Sequence, residues 1–158
     1  MGPLCYEYLE MKIRTATQKD SRACADVHML ARKSMDYLPQ DLHTPEETYT
    51  WKRDVVLLHE RVWVAEVGHQ IVAYASVSDG FLNNLYVLPD HQRRGIGSAL
   101  LSKVKMHLPG GVRLWTFEPN GAAIRFYERH DFATIERSDG RTNEENVADR
   151  LMAWQPEP

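Results

Sequence analysis

The stretch Leu85-Tyr86-Val87-Leu88-Pro89-Asp90-His91-Gln92-Arg93-Arg94-Gly95-Ile96-Gly97-Ser98 holds the residue types and spacing that most directly suggest chemistry. A strand ends at Pro89, a short loop turns, and a helix begins on two glycines. The first N–H groups of a helix have no intrahelical partner and carry partial positive charge, so they can bind phosphate without any side chain. Gly95 and Gly97 let a ligand's oxygens approach the main chain closely, and Arg93 and Arg94 add charge beside them. The residues by themselves read equally as a glycine-softened helix start with no ligand. Two other phosphate loops are excluded. No Gly-Lys-Ser/Thr follows, and the third glycine of the dinucleotide pattern is replaced by Leu100.

A second candidate is the pair Asn120 and Tyr127. They lie seven residues apart on one expected helix, within about 20° of the same face. Phe126 and Tyr127 also read as core aromatics under a sheet. Neither Cys5 and Cys24 nor the scattered histidines (His28, His59, His69, His91, His107) have metal-ligand or disulfide-framework spacing. No metal site is expected, and a reducing cytoplasm suits the thiols.

The elements that must position these residues follow from periodicity and stop signals. Residues 11–16 form a short strand. Thr17-Gln18-Lys19-Asp20 reads as a capping box, followed by helical spacing of Ala23, Val27, Leu30, Ala31, Met35 and Leu38. Thr44-Pro45-Glu46-Glu47 starts a second helix that runs to about residue 57. Strands follow at 61–67, 70–78 and 81–88, separated by Gly68-His69 and Asp79-Gly80 turns. Then come a helix from about residue 93, a strand at 112–117, a helix at 120–130, a strand at 132–137 and a last strand at 147–154. The order β-α-α-β-β-β-α-β-α-β-β predicts an α/β single domain: a mixed, mostly antiparallel central sheet with helices on both faces.

Bulk composition narrows the partners. With 158 residues the chain fits one domain. A net charge of −3 argues against a polyphosphate backbone as main partner, so no nucleic acid is expected. No apolar run is long enough to span a membrane, so no membrane partner is expected either.

The segment Gln92-Arg93-Arg94-Gly95-Ile96-Gly97 resembles the Q/R-x-x-G-x-G/A signature of the GNAT superfamily of acyl-CoA N-acyltransferases. Asn120-Gly121-Ala122-Ala123-Ile124-Arg125-Phe126-Tyr127-Glu128-Arg129-His130-Asp131-Phe132 resembles that family's later N-x-x-A-x-x-F-Y-E-x-x-G-F segment. The resemblance in element order runs from Met11 to Trp154. It implies an N-acetyltransferase domain over residues 11–158 behind an extension at 1–10. It also implies acetyl-CoA as co-substrate, a small-molecule amine as acceptor, and room for pairing into homodimers. The amides of Arg93, Arg94, Gly95, Ile96, Gly97 and Ser98 would hold the CoA diphosphate. The backbone of Leu85, Tyr86 and Val87 would pair with the pantetheine arm. Asn120 would contact the cofactor, and Tyr127 would protonate the leaving thiolate. In the family the acceptor is bordered by two loops, which here offer Tyr37, His43 and Glu145. Asp131 stands where the family often has Gly. Asn83, Asn84 and Trp115 stand where some members carry a base. Two further readings stay open: a non-catalytic acyl-CoA-binding module, and an acetyltransferase acting on a protein amine.

Overall fold

A computed structural model describes residues 10–158; the expected extension at 1–10 and Cys5 lie outside it, save for Glu10. The elements run β1 (Met11–Thr15), α1 (Ser21–Lys33), α2 (Pro45–Trp51), α3 (Leu57–His59), β2 (Arg61–Val67), β3 (Gln70–Ser78), β4 (Phe81–Val87), α4 (Ile96–His107), β5 (Val112–Phe117), α5 (Gly121–Arg129), β6 (Ala133–Ser138) and β7 (Asp149–Trp154). Seven strands make one sheet in the order β1-β2-β3-β4-β5-β7-β6, antiparallel at every step except β4–β5. This is the mixed sheet that the order of turn signals predicts.

Alternation along β2 shows why the sheet takes helices on both faces. Val62 and Val64 enter one apolar cluster with Cys24, Val27, Val56 and Tyr74. Trp63 and Ala65 enter the other, with Leu100, Leu101, Val104, Ile124 and Tyr127. Period-2 side chains that are apolar on both faces need cover on both. Helices α1 and α2 lie on the first side, α4 and α5 on the second.

Local rules set the boundaries. Gly68-His69 and Asp79-Gly80 each place two consecutive residues at positive φ, which gives the tight turns of the meander. Asp131 sits at φ 69°, so the chain leaves α5 through a left-handed residue although it is not glycine. Three expectations shift. The Thr17–Asp20 box is present, but its turn is a 3-10 turn, and α1 ends at Lys33 rather than reaching Leu38. Thr44 caps α2 by accepting from the Glu47 N–H at 3.1 Å, yet the Glu47 carboxylate turns to His43 instead of closing a box. Between α2 and α3 the helix widens into a π segment, Lys52–Val56, which the apolar spacing does not signal.

The sheet parts in the middle. Beyond the single pair Phe81↔Arg113, β4 and β5 are not registered with one another. The β6–β7 connection reaches back to the first helices through Arg32–Glu145 (3.1 Å) and His43–Glu144 (3.1 Å). It turns on Gly140 at φ 84°, where an added Cβ would lie 2.3 Å from the Val147 carbonyl carbon. Gly140→Ala is expected to lower unfolding free energy by about 2 kcal/mol, from positive-φ strain plus the displaced loop. A urea titration showing an unchanged midpoint would contradict this.

Candidate active site

The cleft opens where β4 and β5 part and has a volume of about 980 Å³. Its floor follows from strand register. Leu88 N–H donates to Val72 C=O at 2.8 Å, so main-chain groups of alternate residues, Tyr86 included, face β3. Those of Leu85 and Val87 therefore point into the gap. Val87 C=O accepts from Gln92 Nε2 at 3.1 Å. The Val87 N–H and both groups of Leu85 remain for an occupant. Tyr86 contributes its ring instead, with its hydroxyl accepting from Arg32 Nη1 at 3.3 Å.

The phosphate turn closes one end. Arg93 (φ 63°) and Gly95 (φ 83°) are both left-handed, which curls successive N–H groups toward one side. The first intrahelical bond of α4 is Ala99 N–H to Gly95 C=O at 3.0 Å. The N–H groups of Ile96, Gly97 and Ser98 precede it, and among the described residues no side chain caps this helix. Gly97 packs against Phe126: a Cβ there would come 3.5 Å from the ring. Arg93, Arg125 and Arg129 line the cleft, and among the described residues no carboxylate does. This sign of charge favours a polyanion.

Helix α5 forms the opposite wall. Asn120 caps it by accepting from Ala123 N–H at 3.1 Å, and its Nδ2 lies beside the Tyr37 hydroxyl. Tyr127 lines the same cleft, packed edge-on against Phe126 (5.2 Å) and Phe132 (5.4 Å). Burial, and then the neighbouring Tyr86, push its phenol above the ordinary range, so it stays protonated at any working pH. Phe126, which also reads as a core ring, lines the cleft too.

Of the residues named from sequence, Leu85, Tyr86, Val87, Arg93, Gly95, Gly97, Ser98, Asn120, Tyr127 and Tyr37 meet around this one cleft. The Ile96 side chain is buried in the core, so only its main chain serves the turn. Arg94 is exposed beside it. Tyr37 reaches from the α1–α2 connection to pack on Phe117 (6.2 Å), and its buried hydroxyl, beside Asn120, has no hydrogen-bond partner of normal geometry among the described residues. Burial, and then Tyr86, push that phenol up to about 12. His43 and Glu145 are not brought to the cleft. His43 is held outside by Glu144 and Glu47, which raise its pKa and occupy both ring nitrogens. Glu145 is committed to Arg32. Asn84 is bonded to Ser76 and Asn83 to Glu60 and Ser78, so neither acts as a strand base. Sequence reasoning passed over Arg125 and Arg129. Their i, i+4 spacing astride Tyr127 was the available signal.

An uncapped helix start, an open stretch of the β4 edge and a buried phenol thus line one cleft. The Acetyltransferase (GNAT) domain family matches residues 58–134. The peptidyl-lysine N-acetyltransferase YiaC of Escherichia coli (strain K12) is 30% identical over 103 residues, covering 65% of this chain and 68% of that one. Apo YjaB from Escherichia coli superposes with a TM-score of 0.76 at 20% identity, over 92% of this chain and 98% of that one. YncA from Salmonella typhimurium, solved with acetyl-CoA, gives 0.74 at 21% identity, over 94% and 95%. The chain belongs to the GNAT superfamily and is an acetyltransferase.

Proposed function

We propose that the protein transfers an acetyl group from acetyl-CoA to the primary amine of a small molecule by direct attack. The observation that carries this reading is the uncapped start of α4 set at the end of an unpaired β4 edge. The residues present fit the co-substrate. The N–H groups of Ile96, Gly97 and Ser98, with Arg93, suit a diphosphate. The open groups of Leu85 and Val87 suit an amide-bearing arm. The co-substrate supplies an activated thioester. The Val87 N–H faces the gap where negative charge develops on a carbonyl oxygen. Asn120 Nδ2 orients the arm, and Tyr127 delivers a proton to the departing sulfur. Proximity in the closed cleft provides much of the rate. Among the described residues no carboxylate lines the cleft, so the proton of an incoming ammonium leaves through water or through another residue.

A compact acceptor is favoured because Tyr37, from the α1–α2 connection, lines the cleft and limits the room there. The likeness to YiaC, a peptidyl-lysine N-acetyltransferase, favours the second reading, a protein lysine. The buried thiol of Cys24 fits a reducing setting such as the cytoplasm.

Calorimetric titration with acetyl-CoA is expected to show saturable binding, and a panel of small amines is expected to release free CoA faster than lysine peptides. An absence of binding overturns the reading. Binding without turnover on any amine points to a non-catalytic module, and faster turnover on peptides to the lysine reading.

A further inference from the structure

Ser98 Oγ lies 3.0 Å from His130 Nε2, joining the first turn of α4 to the last residue capping α5. The proposed reading gives the Ser98 N–H a place in the diphosphate cradle but assigns nothing to this side-chain pair. Three contacts fix the histidine. Its ring lies against Phe126 at 4.7 Å, its carbonyl accepts from Lys105 Nζ at 2.7 Å, and its Nε2 meets the serine. Burial, Lys105 and Arg129 hold the imidazole below its ordinary pKa, against a smaller opposing effect of Asp131. A neutral ring has one N–H and one acceptor nitrogen.

We infer that His130 is a positioning residue for CoA: its Nε2–H donates to Ser98 Oγ and turns the serine hydroxyl proton outward, onto a phosphate oxygen. The inference rests on the acetyl-CoA reading. A hydroxyl has one proton and two lone pairs. With one lone pair occupied by the histidine, the proton is free to point into the cleft that Ser98 lines. Hydrogen bonds to a charged acceptor are the strong ones. An oriented hydroxyl is therefore worth more to a diphosphate than a freely rotating one.

The test compares acetyl-CoA with acetyl-pantetheine, which carries the same thioester and arm but no diphosphate. His130→Leu is expected to raise KM for acetyl-CoA about five- to tenfold with kcat unchanged, and to leave kcat/KM for acetyl-pantetheine unaltered. His130→Gln, whose amide can still donate, is expected to stay within about twofold of the parent on both. In a Ser98→Ala background, His130→Leu is expected to add nothing further. Should His130→Leu fail to fold, Ser98→Ala alone is expected to discriminate between the two thioesters in the same way. Equal losses on both thioesters, or a His130 effect that persists without Ser98, overturn the inference. Failure of the parent protein to bind or use acetyl-CoA overturns instead the function proposed above.

Discussion

Tyr127→Phe is expected to lower kcat about 10²- to 10³-fold, with KM for acetyl-CoA within about twofold of the parent. Only the hydroxyl is lost. The ring contacts to Phe126 and Phe132 are kept, so the wall of the cleft survives. A residue that acts only as the sulfur departs affects the chemical step and not the grip on the substrate. Its raised pKa keeps the phenol protonated before the reaction, the form that an acid must have. Single-turnover release of free CoA, monitored by a thiol reagent, measures the effect directly. An unchanged rate would remove Tyr127 from the acid role, even if CoA binding remains intact.

Lys52→Met is expected to stabilise the protein by about 3 kcal/mol near neutral pH and to raise Tm by about 6–12 °C. Lys52 is 0% exposed, and its Nζ has no hydrogen-bond partner among the described residues. It rests instead over the rings of Trp51 (4.0 Å) and Tyr74 (4.8 Å). Burial pulls its pKa from 10.5 down to about 7. A lysine with a lower pKa in the folded state binds fewer protons there than in the unfolded chain. The destabilisation is therefore complete below about pH 7 and fades as pH rises toward 10.5. Methionine matches the volume without the charge. Melting curves from pH 6 to 10 should slope upward for the parent and lie flatter for the variant. Parallel curves would show that the ammonium is compensated by contacts other than the two rings.

Most of the architecture was legible because its signals are local. Turn pairs with positive φ, Pro45 after Thr44, and alternation through residues 61–78 each act within a few positions of the chain. The phosphate turn was legible for the same reason: Gly95 needs its left-handed φ, and the two glycines sit at a strand-to-helix junction. Arg93, which is also left-handed, carries no such mark, because nothing in an arginine announces positive φ. The acceptor side was least legible. His43 and Glu145 lie on the expected loops, but their partners, Glu144 and Arg32, are 101 and 113 residues away in sequence. No periodicity encodes such pairings, and they turn candidate ligands into ties between loops. The π segment that buries Lys52 was hidden because a lysine on an amphipathic helix ordinarily reads as its wet side.

The parting of β4 from β5 has a further consequence. A sheet normally satisfies its own main chain, rung by rung. Here the two panels meet at one rung, and the remaining donors and acceptors of Leu85 and the Val87 amide are left for a guest. The acyl carrier then completes the fabric as well as reacting in it, so the affinity for the carrier and the cohesion of the protein draw on the same hydrogen bonds.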